Sequence, residues 1–379
     1  VGACDWSSDV CSSDLEDAMA ALEAETRAWR EDRQGYVAAG MRLWKRRHLQ
    51  RFFGRERPLV FMDDPARAAA RAARDGRKVL AWAGRAGPEQ DTADAPVLRV
   101  EDGFLRSRGL GAELVPPLSL VTDDLGIYYD PRRESRLERL VADAAALPPG
   151  RLRRAEALVT DLTRRRLSKY NLGTGELPPL PGGHRILVPG QVEDDASILT
   201  GCGDLRTNAA LLARTRAENP DAVILYKPHP DVEAGLRAGR LSEGAARAYA
   251  DAVLRDADPV ALIEAVDEIW TLTSLMGFEA LLRGVPVTCL GTPFYAGWGL
   301  TRDLGAVPAR RQARPSVTAL AHAALVAYPR YLDPLTGRPC PAEVVAERLA
   351  EGPLPRPGAA NRALSKLQGL LASRAALWR

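Results

Sequence analysis

The stretch "DAVILYKPHPD" (221–231) decides how this 379-residue chain is read. An apolar run, 222–226, is followed at once by a lysine and by a histidine set between two prolines. Each proline fixes its own φ, lacks an N–H and pushes the residue before it toward extended backbone. Pro228 and Pro230 should therefore end a strand and hold His229 in a rigid extended turn. In an open α/β sheet, ligands bind beyond the carboxyl ends of the strands, which is where Lys227 and His229 would arrive. Such a pair suits an anionic ligand. A Pro-capped loop whose histidine bonds a nearby carbonyl is the competing reading, and this stretch alone leaves both open.

Working outward, the same alternation recurs on both sides. "RILVPG" reads as a strand, "NAALLARTRAENP" as a helix, "DPVALIEAV" as a helix, "EIWTLTS" as a strand, "LMGFEALLRG" as a helix and "VPVTCLG" as a strand. Upstream, "PLVFM", "ARAAARAAR", "KVLAWAG" and "APVLRVEDGF" alternate likewise, and "SRLERLVADAAAL" and "RAEALVTDLTRRRLSKYN" are further helices. Alternating strands and helices specify a parallel sheet with helices on its faces. The Pro- and Gly-dense "LGTGELPPLPGGHR" (172–185) reads as an interdomain linker. The expected fold is α/β: two doubly wound, Rossmann-like lobes, 58–180 and 186–330, with a cleft between them. A helical lead-in over 16–57 and a helical C-terminal tail over 331–379 complete the expected organisation. Residues 1–15, "VGACDWSSDVCSSDL", repeat Ser-Ser-Asp and resemble an adapter-derived, non-native segment; they lack the basic start and apolar core of a signal peptide.

Hydrophobic content of 46% and charged content of 27% fit a globular protein, and no stretch approaches the roughly 20 apolar residues of a membrane span. The five cysteines, Cys4, Cys11, Cys202, Cys289 and Cys340, are scattered and odd in number, which suggests neither a disulfide framework nor a zinc site. A net charge of +3 is too small to imply nucleic acid. Two segments, "WKRRHLQRFFGRER" (44–57) and "NRALSKLQGLLASRAALWR" (361–379), are basic and carry Trp, Phe or Leu; such a combination can rest on anionic lipid, although for each segment taken singly a solvated helix face over a core stripe is the simpler reading.

Three further constellations carry chemistry. In "TLTSLMGFEALLRG" (271–284), Ser274 closes a strand and stands as N-cap of a helix, beside Thr273, so that N–H groups and the hydroxyl could meet a phosphate. "RVEDGF" (99–104) ends a strand of the first lobe with Glu101 and Asp102, and "GQVEDDAS" (190–197) ends the first strand of the second with Glu193, Asp194 and Asp195. Paired carboxylates are what acetal chemistry needs: one moves a proton and the other stabilises or captures an oxocarbenium-like centre. Asp194 or Asp195 could equally cap the segment that follows. Neither G-x-x-x-x-G-K-[ST] nor G-x-G-x-x-G behind a first strand is present, which disfavours a kinase or a dehydrogenase.

"VEDGFLRS", "PLSLVTDDLGIYYD", "SKYN", "ILVPGQVEDDAS", "YKPHPDVEAG" and "TSLMGFEALLRGVPVTCLGTPFYAGWGL", in this order, resemble the capsule-polysaccharide β-Kdo transferases. The resemblance is to one module of the two-module enzymes that build the poly-Kdo linker of Gram-negative capsules, over about Arg27 to Asp333. It is nearer to the C-terminal module, which implies a piece of a longer enzyme. It further implies a GT-B-like fold and transfer of Kdo from CMP-Kdo with retention of the β configuration, by double displacement. Glu101 would be the acid/base acting on the acceptor hydroxyl and Asp195 the nucleophile. His229 and Ser274, with Lys227, Thr273 and Glu279, would bind the donor in the second lobe, the first facing the acceptor. Arg106 or Arg108 would meet the donor's carboxylate. No metal or cofactor is implied. The implied partners are a lipid-linked, phosphatidylglycerol-type oligo-Kdo acceptor, capsule assembly and export proteins, and an anionic surface at the cytoplasmic face of the inner membrane. For such a module the resemblance leans to a β-2,7 linkage. Two alternatives stay open: an inverting, sialyltransferase-like reaction with Glu101 as base and Asp195 dispensable, and a non-catalytic glycan-binding module.

Overall fold

The computed structural model describes residues 8–85, 97–109, 114–171, 176–352 and 354, with 8–14 and 85 described by backbone alone. Its strands are β1 Tyr36–Ala39, β2 Val60–Met62, β3 Lys78–Trp82, β4 Val97–Asp102, β5 Ser119–Asp123, β6 Arg185–Pro189, β7 Val223–Lys227, β8 Ala252–Val253, β9 Glu268–Thr271, β10 Val287–Cys289, β11 Arg302–Asp303, β12 Pro329–Leu332 and β13 Pro339–Cys340. They form two sheets, in the orders β13-β12-β5-β4-β3-β1-β2 and β11-β10-β9-β6-β7-β8. The α/β expectation of two mostly parallel, helix-covered sheets is met.

The described residues within 1–106, 116–122 and 329–355 form one compact unit, and those within 107–115 and 123–328 the other. This division differs from a boundary at the 172–185 linker. Helices Arg136–Ala145 and Pro149–Arg164, read from sequence as part of the first lobe, belong to the second unit, where Glu138 is buried in ion pairs with Arg310 and Arg311.

The lead-in over 16–57 is not helical throughout. Helix Ser8–Asp32 and helix Leu43–Phe53 flank β1, which pairs in parallel with both β2 and β3. "YVAA" gave no periodic signal because it is only four residues long and half alanine; Gly35 and Gly40, both at positive φ, bracket it. The tail is likewise mixed. β12 and β13 add to the edge of the first sheet, with β12 antiparallel to β5, before helix Ala342–Glu351. Arg330 on β12 donates to both carboxylate oxygens of Asp32 at 2.7 Å, and the Tyr36 hydroxyl donates to Asp32 at 2.9 Å. This buried cluster joins both ends of the first unit.

The apolar side of the basic stretch 44–57 faces inward: Leu49, Phe52 and Phe53 are core residues with Tyr36, Leu80 and Val100. Leu43, just before this stretch and first in its helix, is left 78% exposed. The other basic stretch, 361–379, lies outside the described residues. No helix among the described residues is long and apolar enough to cross a membrane.

The second sheet is parallel throughout. Its chain runs outward from β6 through β7 to β8, then returns to β9 on the other side of β6 and continues to β10 and β11. The strand order therefore reverses between β6 and β9, the position where doubly wound sheets bind ligands.

Candidate active site

Three of the sequence motifs sit at the carboxyl ends of three adjacent strands around this reversal: "TS" after β9 and "GQVEDD" after β6, which flank it, and "PHPD" after β7, next to β6. Gly190 makes the first two fit. Its N–H donates to the Lys227 carbonyl at 2.7 Å, and a Cβ there would stand 2.8 Å from Tyr226 Oη and 3.1 Å from His229 N. Any side chain would force the β6 end away from the histidine turn.

His229 adopts φ −70° and ψ 134°, the extended turn expected from its prolines. Its Nδ1 accepts from the Asp231 N–H at 3.2 Å, which places the proton of the neutral ring on Nε2. Burial pushes its pKa below the ordinary histidine value; Asp231 and Asp195 oppose the shift, whereas Arg237 and Lys169 reinforce it. His229, Asp195, Arg237 and Lys169 thus share one electrostatic neighbourhood.

Asp195 is the N-cap of helix Ala196–Gly201, so the capping role open to it in sequence is realised. Its Oδ1 accepts from Ser197 N–H at 3.0 Å and Ser197 Oγ at 2.7 Å, while Oδ2 lies 3.9 Å from Arg237 Nη2. The side chain is nonetheless 46% exposed. The other acids of the cluster are structural: Asp194 pairs with Arg237 at 3.1 Å and Glu193 accepts from the Asn208 N–H at 2.8 Å.

Ser274 is the N-cap of helix Leu275–Leu281, its Oγ accepting from Met276 N–H at 3.3 Å. The hydroxyl proton remains able to donate. Thr273 Oγ1 bonds to Ser197 at 3.3 Å and accepts from Gln191 at 3.0 Å. Glu279, farther along that helix, accepts from the Lys169 N–H at 2.8 Å, and desolvation raises its carboxyl pKa. Glu279 therefore holds the "SKYN" turn, in which Asn171 adopts φ 49° and donates to the Ser107 and Ser168 carbonyls at 3.0 and 2.8 Å.

Lys227 departs from the phosphate-binding expectation. It is buried and its ammonium donates to the Arg255 carbonyl at 3.0 Å, with Asp256, Asp258 and Glu233 as its charge partners. The cations that act on His229 are instead Arg237 and then Lys169, the latter from a motif whose role could not be read from sequence.

In the first unit, Glu101 and Asp102 end β4. Gly103 follows because Ser119 stands where its Cβ would be. Arg106 is fully buried and donates to Asp102 at 2.8 Å, so the guanidinium expected to meet a substrate carboxylate is engaged inside the fold. Arg108 is exposed and belongs to the other unit. The missed residue here is Lys45, on helix Leu43–Phe53. Its ammonium lies over the Trp82 ring at the end of β3 and interacts with Asp102 and Glu101; burial lowers its pKa to about 8. No group of three or more His, Cys, Asp or Glu suited to a metal occurs among the described residues.

Comparison with known proteins identifies the family. Residues 85–170 and 182–331 match the capsule polysaccharide biosynthesis protein family, to which the chain belongs. It is 44% identical over 317 residues to the capsule polysaccharide modification protein LipA of Neisseria meningitidis serogroup A, covering 82% of this chain and 44% of that protein. It is 46% identical over 241 residues to the lipopolysaccharide-processing protein LpsZ of Rhizobium meliloti, covering 62% of this chain and 54% of LpsZ. The chain thus spans about half the length of these relatives. Among solved structures, the β-Kdo 2,7 and 2,4 transferases of Thermosulfurimonas dismutans KpsC match at TM-scores of 0.69 and 0.71. Each is 34% identical, with 83% of this chain and 98% of the solved chain covered.

Proposed function

We propose that this chain is a glycosyltransferase module of capsule polysaccharide biosynthesis that transfers Kdo from CMP-Kdo, with retention, to a β-Kdo-terminated, lipid-linked acceptor. The observation that carries this reading is the placement of Ser274, Asp195 and His229 beyond the carboxyl ends of the adjacent strands β9, β6 and β7 at the topological reversal. An exposed carboxylate beside a histidine whose Nε2 bears the proton is an arrangement for displacing a phosphate leaving group.

In the first step an Asp195 oxygen attacks C2 of Kdo while the bond from C2 to the CMP phosphate oxygen breaks, its electron pair leaving with CMP. His229 Nε2–H and the Ser274 hydroxyl donate to the phosphate as its charge grows, and Lys169 adds a nearby cation. In the second step the acceptor hydroxyl attacks C2 from the opposite face. The C2–Oδ bond breaks, its electrons return to Asp195, and Glu101 takes the hydroxyl proton. Two inversions restore the β configuration. No cofactor is required by this chemistry. The 2,7 and 2,4 transferases match the chain alike, so the comparison gives O7 no preference over O4.

The test is transfer by the 379-residue chain from fresh CMP-Kdo to a short β-Kdo-terminated acceptor, with the product linkage determined by NMR. A product longer by one β-linked Kdo supports the reading; CMP binding without product supports a binding module instead.

A further inference from the structure

The carboxamide of Gln191 is held in one orientation. Its Oε1 accepts from the Thr271 hydroxyl, the Leu272 N–H and the Thr273 N–H, each at 3.1 Å. Its Nε2 must then face Thr273 Oγ1, 3.0 Å away. Because that oxygen accepts from Gln191, its own proton points to Ser197 Oγ at 3.3 Å, and the Ser197 proton in turn to Asp195 Oδ1 at 2.7 Å. Every bond in this chain has a fixed direction, beginning at an amide that cannot turn and ending on one carboxylate oxygen. The backbone of Gln191 is itself fixed by Asn208, whose side chain accepts from its N–H and donates to its carbonyl at 2.8 Å each.

We propose that Gln191 is a positioning residue for the reaction: through Thr273 and Ser197 it fixes the Asp195 carboxylate so that Oδ1 is held by two donors and Oδ2 is presented to the sugar. This rests on the reading of Asp195 as nucleophile. The same amide also aligns the donor side, since Thr271 Oγ1, which donates to Gln191, accepts from the Ser274 N–H at 3.2 Å. One side chain on the end of β6 thereby sets both the group that attacks and the residue that meets the leaving phosphate.

The experiment is steady-state transfer with CMP-Kdo and the β-Kdo-terminated acceptor, measured on the full chain and on Thr273→Val, Thr273→Ser, Ser197→Ala, Gln191→Glu and Asp195→Ala, each with a thermal melt. Gln191→Glu keeps the acceptor oxygen and loses the donor. Loss of one hydrogen bond to a charged group corresponds to roughly 10-fold or more in rate. The proposal predicts that kcat falls roughly 10-fold or more in Thr273→Val and Ser197→Ala with KM for CMP-Kdo little changed. Thr273→Ser should restore it, and Gln191→Glu should add little in a Thr273→Val background. If Asp195→Ala is inactive but Thr273→Val and Ser197→Ala turn over like the native chain, the positioning role is overturned while the nucleophile stands. If Asp195→Ala itself transfers Kdo, both fall. Parallel losses of kcat and melting temperature that Thr273→Ser does not restore would also overturn it.

Discussion

Ser197 donates to Asp195 Oδ1 twice, through its hydroxyl at 2.7 Å and its backbone N–H at 3.0 Å. The carboxylate is therefore an N-cap and a candidate nucleophile at once, and the two roles separate chemically. Asn caps helices as well as Asp does. Asp195→Asn should leave the denaturation midpoint within about 0.5 kcal/mol of native and lower transfer by about 10³-fold or more. Equilibrium unfolding and initial rates on one preparation check this.

Lys45 faces Asp102 and Glu101, with Arg106 and Arg42 as the like charges around it. Opposite charges favour each other's ionised forms, and both carboxylates act on the Lys45 ammonium in that sense. With Glu101 as the proposed base, removing the ammonium in Lys45→Met should move the acidic limb of the kcat/KM profile to higher pH. An unshifted limb would show that Lys45 does not act on the group whose ionisation sets it.

His48 carries a pKa lowered to about 4, chiefly by burial and then by Arg51, Arg47 and Arg106; His229 is shifted the same way. With the folded pKa depressed, the unfolded chain binds more protons below the ordinary value of about 6.5. Stability from these groups is thus present above about 6.5 and lost as pH falls toward 4. Urea denaturation across that window should show a falling midpoint, with a shallower fall in His48→Gln.

Arg330 and Asp32 form a buried bidentate pair that ties β12 to the first helix. Arg330→Met removes one partner and leaves a buried carboxylate, at a cost of about 3–5 kcal/mol. Replacing both partners with apolar side chains should recover much of that loss. Unfolding curves of the single and double variants test the claim.

The strand ends of the second unit were legible because each pairs an apolar run with residues whose backbone chemistry is unambiguous: Pro228 and Pro230 around His229, Ser274 as a cap, and Asp195 before Ala196. β1 was not, because four residues between two glycines carry no period. Gln191, Lys45 and Lys169 were missed for a different reason. Gln191 reaches Thr273 across 82 residues, and nothing in either local sequence announces the pairing. For Lys227, adjacency to a histidine suggests a common ligand, whereas its ammonium bonds the Arg255 carbonyl, a partner 28 residues away that neither local sequence announces.

The central claim is that Asp195 carries Kdo covalently. Its most direct test is the intact mass of Glu101→Gln after incubation with CMP-Kdo and acceptor, followed by peptide mapping. The account predicts an added Kdo residue on the peptide containing Asp195, absent from Glu101→Gln/Asp195→Ala. No adduct, together with β-linked product from Asp195→Ala, would contradict it.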